Sequence, residues 1–195
     1  LGTIIGDIVG SPYEFHNYRD KGFEPLFHKA ARFTDDTVCT IAVADAILNE
    51  IHPEDALIKW CRMYAENGGW GKQFALWFMS DQRSHYNSWG NGSAMRVSPI
   101  AYAFDTLQEV LEEAKRSALP THNHPEGIKG SQAIASAVFL ARIGKTKSQI
   151  RDYIQKEFEY DLNRTIEDIR PNYSFDLSCQ GSVPEAIIAF IDSTD

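Results

Sequence analysis

The sequence predicts an all-α chain in which long loops connect the helices. Three observations carry that expectation: apolar residues recur at helical spacing almost everywhere, strand-like alternation is scarce, and helix-start signals precede the apolar runs. Leu57, Trp60, Cys61 and Tyr64 fall at i, i+3, i+4 and i+7, which lines up one face of a helix, and Leu107, Val110, Leu111 and Ala114 repeat the pattern.

In chain order, Gly2, Gly6 and Gly10 recur every four residues, so on a helix they form a smooth stripe against which another helix can pack closely. Asp7 lies in apolar surroundings where an unpaired carboxylate is costly, and it is expected to accept hydrogen bonds from a loop or a helix terminus. Residues 16–32 read as a polar loop. In "FTDDT" (33–37), Thr34 or Asp35 suits an N-cap and Asp36 suits the positive end of the helix dipole. The run "VCTIAVADAIL" (38–48) is apolar on almost every side and is a candidate central helix.

His52-Pro53-Glu54-Asp55 opens the next helix, with proline at the first helical position and acids in the first turn. Residues 67–71 and 80–92 read as loops, the second ending in Gly90-Asn91-Gly92 ahead of a helix. Thr106 with Glu109, Thr146 with Gln149, and Ser182 with Glu185 each form an S/T-x-x-E/Q start signal, in which each side chain satisfies an otherwise orphaned N–H. "LPTHNHPEGIKG" (119–130) precedes a second candidate central helix, "AIASAVFLA" (133–141), with Asn123 as a possible cap, and residues 159–180 read as a loop.

At 195 residues with 43% apolar content, the chain is expected to form one domain around one sizeable core. Nineteen Lys and Arg against 27 Asp and Glu give a formal charge of −8, which repels polyanions and anionic surfaces, so neither nucleic acid nor membrane is an expected partner. A small phosphorylated ligand held by backbone N–H groups is compatible with that charge. The opening "LGTIIGDIVG" is too short to span a bilayer and carries Asp7 in its middle. Cys39, Cys61 and Cys179 are odd in number, widely spaced and without a Cys-x-x-Cys, which argues for a reducing, cytoplasmic setting over a disulfide framework or a zinc ribbon.

Four stretches could carry chemistry. Thr34, Asp35 and Asp36 offer hydroxyl and carboxylate oxygens, the donors that suit Mg²⁺, Mn²⁺ or Ca²⁺, although the same residues also make an ordinary helix cap. Adjacent acids in a first helical turn splay by about 100° and could serve two neighbouring cations. Glu14 follows Ser11-Pro12 at an expected helix end, where the dipole disfavours an acid unless a cation or donor is near; a solvated glutamate is the alternative. Gly90, Asn91, Gly92 and Ser93 would let a ligand approach backbone N–H groups, or would simply make a turn, and Arg96 could meet an anion or a neighbouring carboxylate. His122 and His124 lack a third zinc ligand at a recognisable spacing, which leaves a polar contact to a ligand or a capping role; Trp70, Tyr86 and Trp89 could stack on a base or form partial core.

The order of "GDIVGSPYE", "FTDDT", "GNGSAMRV" and "THNHPEG" resembles the ADP-ribosylglycohydrolase family, and "SVPEAIIAF" (182–190) is similar to that family's late helix. The resemblance implies an all-α, compact orthogonal multi-helix bundle with long functional loops over residues 1–195. It also implies two divalent cations, Mg²⁺ or Mn²⁺, and hydrolysis of the glycosidic bond between ADP-ribose and a protein side chain, arginine or serine, or a related small-molecule acceptor. Carried over by motif, Glu14, Thr34, Asp35 and Asp36 are the implied metal ligands, with Glu14, Asp35 and Asp36 catalytic. Gly90, Asn91, Gly92, Ser93 and His122 are the implied substrate-binding residues. The family's second acidic signature, Asp-x-Asp-Thr, does not occur within residues 1–195, since "DSTD" at 192–195 has neither the order nor the context. It is expected to follow Asp195, because the residues that need it are present. A catalytically impaired ADP-ribose binder or structural homologue, and a metal-dependent nucleotide phosphohydrolase, are the alternatives.

Overall fold

The computed structural model describes residues 1–16, 18–22, 24–67, 69–81 and 84–194, so Asn17 and Phe23 of the first expected loop, Gly68 of the second, Gln82 and Arg83 of the third, and the terminal Asp195 lie outside it. Among the described residues the regular structure is helical, as expected, with no strand and one isolated antiparallel bridge between Gly90 and Ser178. No helix among them is long and apolar enough to cross a membrane. The chain comprises two compact units, Leu1–Ser84 and His85–Asp195.

The first unit holds α1 (Gly2–Gly10), α2 (Asp35–Leu48), α3 (Pro53–Met63), a 3₁₀ turn at Ala65–Asn67 and α4 (Lys72–Met79). Helix α2 buries Val38, Cys39, Ala42, Val43 and Ala46, and α3 packs on it with Ala56, Leu57 and Cys61 buried. Across that contact the Asp45 carboxylate accepts from Lys59 Nζ and Trp60 Nε1, both at 2.8 Å. Helix α3 starts as its sequence implies, with Pro53 at the first helical position, and the His52 ring accepts from the Glu54 N–H at 3.3 Å. Arg62 then reaches from the end of α3 to the Phe78 and Ser80 carbonyls, which lie past the last intrahelical acceptors of α4.

Helix α1 departs from expectation. Nothing lies within 4 Å of where a Cβ would stand on Gly2, Gly6 or Gly10, so the glycine stripe faces no close neighbour among the described residues. Contact with α2 is made elsewhere on α1, and its polar anchor is Asp7.

The second unit is built around α8 (Pro125–Arg142), against which α5 (Gly92–Met95), α6 (Ile100–Ala103), α7 (Leu107–Ala118), α9 (Lys147–Phe158) and α11 (Cys179–Asp192) all pack. Gly127, Gly130, Ser131, Ala133, Ala135, Ser136 and Ala137 are buried on α8, and their small side chains let so many helices approach one axis. The expected capping boxes at Thr106 and Thr146 are both present, with each threonine accepting from the N–H three residues on at 3.2 Å.

Three expectations about helix starts are corrected. Helix α11 begins at Cys179 with Ser178 as its cap, accepting from Gly181 N at 3.0 Å; Ser182 lies in the first turn and donates back to the Ser178 carbonyl, while Glu185 pairs with Arg164 at 2.7 Å. The cap of α8 is His124, whose Nδ1 accepts from Glu126 N at 3.1 Å, while Asn123 accepts from Asn87 N at 2.8 Å. The expected loop 159–180 contains α10 (Ile166–Ile169), started by a Thr165–Asp168 capping box. Aspartate reaches back as glutamate does, which the Glu/Gln form of the signal does not include.

Gly130 lies where α8 meets α11, because a Cβ there would collide with Cys179 Sγ and stand 2.9 Å from Cys179 Cβ and 3.3 Å from Val183 Cγ2. A packed β-carbon cannot yield as a flexible side-chain tip can. Gly130→Ala is therefore expected to cost about 1–3 kcal/mol and to lower the thermal midpoint by about 2–4 °C for each of them. Thermal unfolding followed by circular dichroism measures it.

Candidate functional site

In the first unit, the acidic cluster is assembled around the start of α2. Thr34 caps the helix in an extended conformation, and its hydroxyl oxygen receives the Asp36 N–H at 3.4 Å. Asp7, arriving from α1, accepts four hydrogen bonds: from Thr34 N at 2.8 Å, Thr34 Oγ1 at 2.6 Å, Thr37 N at 3.1 Å and Thr37 Oγ1 at 2.5 Å. Its carboxylate thus completes the cap that Thr34 begins, with a charge favourable at a helix N-terminus. The structural role expected of Asp7 is the one observed.

The remaining acids are not neutralised in that way. Burial first, and then the neighbouring Asp36, push the Asp35 carboxyl up to about 7, with Glu14 and Asp7 adding to the repulsion. Asp36 is raised by burial and by Asp7, against the lowering effect of its bond with Thr34. Glu14, in the turns that follow α1, is raised by burial, Asp36 and Asp7, while Arg32 pulls the other way. Glu14, Asp35 and Asp36 are thus brought into one electrostatic neighbourhood with Asp7. Gly69, at φ 84, closes over it: a Cβ at that position would collide with the Asp35 carboxylate oxygen at 2.6 Å, and L side chains rarely adopt that φ.

Hard oxygen donors that repel one another are the donor set a divalent cation would relieve, so the residues fit such an ion chemically. Among the described residues, however, no group of three His, Cys, Asp or Glu side chains is gathered so that it could hold a metal ion.

In the second unit, Gly90 and Gly92 lie beside the ring edge of His122. Cβ atoms there would stand 3.6 and 3.1 Å from its Nε2. The loop is held by the Gly90–Ser178 bridge, by Asn91 N donating to the Leu177 carbonyl at 2.8 Å, and by Asn91 Nδ2 donating to Ser182 Oγ at 3.1 Å. Ser93 is fully buried and donates to the Gly127 carbonyl at 2.7 Å, tying α5 to α8. The Asn91 and Ser93 side chains therefore shape the loop, and Gly90 and Gly92 leave room beside the histidine. His122 itself is buried, and burial together with Arg96 holds its pKa well below the ordinary value. Trp89 stands 55% exposed against the His124 ring, whereas Trp70 packs into the Phe74 and Phe78 rings and donates to the Ala65 carbonyl.

Sequence reasoning missed Thr37, Gly69 and Thr121. The threonine closing "FTDDT" was the available signal for Thr37, since it stands three residues after the cap. Gly69 meets Asp35, and Thr121, though adjacent to His122, is held by Arg96 from 25 residues away, which no local spacing identifies.

The sequence profile of the ADP-ribosylglycohydrolase family matches residues 1–191. The chain is 30% identical over 181 residues to the ADP-ribosylhydrolase ARH3 of Homo sapiens, covering 76% of this chain and 50% of that protein. It is 26% identical over 194 residues to the ARH3 of Xenopus tropicalis, covering 83% and 55%. The chain thus spans about half the length of these curated relatives. A solved structure described as an ADP-ribosylglycohydrolase-related protein complex is similar in fold, with a TM-score of 0.73 at 21% identity, over 100% of this chain and 74% of that one.

Two outcomes test this geometry. Asp7→Ala leaves the Thr34 and Thr37 N–H groups without their acceptor and is expected to cost about 3 kcal/mol, read as the shift in the urea midpoint. In chelator-treated protein, Asp35 binds a proton more tightly folded than unfolded, where its pKa is about 3.9. That contribution is complete below pH 4 and is lost as pH rises through about 7. Between pH 5 and 8 the melting temperature of the wild type is expected to fall by about 5 °C more than that of Asp35→Asn, as measured by scanning fluorimetry.

Proposed function

Because the chain belongs to the ADP-ribosylglycohydrolase family, we propose that it hydrolyses the glycosidic bond joining ADP-ribose to an arginine or serine side chain, or to a related small-molecule acceptor. The observation that carries the reading is the helix start pinned by Asp7, where burial and acidic neighbours raise Glu14, Asp35 and Asp36 together.

Glu14, Thr34, Asp35 and Asp36 are the residues that would hold Mg²⁺ or Mn²⁺, two ions in all. When bound, such cations supply the positive charge that stabilises oxygens around an oxocarbenium-like anomeric carbon. The chain's own groups account for the rest. A water adds to the anomeric carbon as the bond to the acceptor breaks; Glu14, made more basic by burial and its acidic neighbours, takes a proton from that water, and the departing serine oxygen or arginine nitrogen takes up a proton from solvent, giving free ADP-ribose and the unmodified side chain. Thr34, fixed by Asp7, orients the two following aspartates. Gly90 and Gly92 admit the ligand to the backbone, and His122 offers a polar contact to a phosphate or ribose oxygen. A reducing, cytoplasmic setting accords with Cys39, Cys61 and Cys179 as buried thiols.

The test is release of free ADP-ribose from arginine- and serine-modified peptides in Mg²⁺ or Mn²⁺. Chelation is expected to abolish release, and Asp35→Asn with Asp36→Asn to lower it at least about 100-fold. A rate unaffected by both would overturn the proposal. The second reading, an ADP-ribose binder without turnover, is favoured by the missing three-residue metal group among the described residues; it predicts a thermal shift with ADP-ribose and no product. Release of AMP or inorganic phosphate would instead mark chemistry at phosphorus.

A further inference from the structure

The surroundings of His122 define more than its location. Arg96 is 1% exposed and Thr121 is fully buried; the guanidinium donates from the same NH2 group to the Ser117 carbonyl at 3.0 Å and to Thr121 Oγ1 at 2.9 Å. Thr121 Oγ1 lies 2.7 Å from His122 Nδ1. A guanidinium can only donate, so the threonine oxygen is an acceptor towards Arg96. The oxygen has a second lone pair, but if Nδ1 donated into it the buried hydroxyl proton would have no acceptor among the described residues, so that proton goes to Nδ1. An acceptor Nδ1 in a neutral ring requires the proton on Nε2, and Nε2 is the atom facing the space above Gly90 and Gly92. The backbone holds the ring in place, since His122 N donates to the Ala118 carbonyl at 2.8 Å.

We propose that Thr121, itself fixed by Arg96, is a positioning residue that locks His122 as the Nε2–H tautomer, so that His122 meets its ligand as a hydrogen-bond donor to an oxygen acceptor and not as a base. The inference about the ligand rests on the ADP-ribose reading above; the tautomer does not. Burial and the nearby Arg96 charge, which hold His122 neutral, agree with it. Such a donor suits a phosphate or ribose oxygen and offers no lone pair for proton abstraction.

Nitrogen-15 correlation spectra of the labelled protein, recorded without ligand, read the tautomer directly. The expected pattern is a protonated Nε2 and an unprotonated Nδ1 on His122 in the wild type, kept in Thr121→Ser and lost or mixed in Thr121→Val. Affinity for ADP-ribose, measured by calorimetry, is expected to stay within about twofold in Thr121→Ser and to fall about tenfold in Thr121→Val. A wild-type His122 protonated on Nδ1, or on both nitrogens at neutral pH, would overturn the proposal even if Thr121→Val failed to fold. So would a folded Thr121→Val that keeps both tautomer and affinity. Absence of ADP-ribose binding by a wild type that shows the expected tautomer would overturn the ligand reading and leave the positioning role standing.

Discussion

The acidic end of the first unit depends on one carboxylate. Asp7 belongs to α1, yet its four hydrogen bonds all go to the first turn of α2, 27 to 30 residues further along the chain. Two of the donors are backbone N–H groups that a helix start cannot satisfy internally, and two are threonine hydroxyls. A charged acceptor shared among four donors is worth more than an isolated cap, and it fixes the rotation of α2 about its own axis. That rotation decides where Asp35 and Asp36 point. Asp7 can therefore be indispensable to the acidic cluster without being one of its reactive members.

The same helix start treats its acids in two ways. Asp7 receives four hydrogen bonds, whereas burial and acidic neighbours raise Asp35 and Asp36 against the hydrogen bonds that they accept. A fold selected for stability alone would exchange such a group for amides or alanines, since uncompensated like charges oppose folding. Retaining them is understandable where a cation occupies the site, because the repulsion that weakens the metal-free protein becomes affinity for the ion.

Histidine serves the second unit through hydrogen-bond geometry instead of charge. His124, like His52 in the first unit, accepts an N–H through Nδ1 at the start of a helix whose first residue is proline. His122, two residues earlier, has its Nδ1 satisfied by a threonine that is held in turn by a buried arginine. One short loop thus carries one imidazole spent on capping and another whose free edge lies beside the Gly90 and Gly92 backbone. The two cannot be told apart by the His-x-His spacing.

By itself the sequence determined that the chain is helical, which segments lie at the centre of their neighbours, that a helix starts at Thr34 or Asp35 and others at Thr106 and Thr146, and that Asp7 must find donors. Each of these follows from interactions between residues one to four positions apart, or from the cost of burying a charge, and both are visible in spacing and composition. Tertiary structure alone decided which donors Asp7 finds, and that Ser178 caps α11 in place of Ser182. It likewise decided that Asn91 and Ser93 are occupied in holding their loop, that the glycine stripe of α1 meets no close neighbour among the described residues, and that Arg96 reaches His122 through Thr121. Those outcomes join residues brought together by the packing of whole helices, and the sequence spacing of two residues carries no information about such a meeting until the helices have docked.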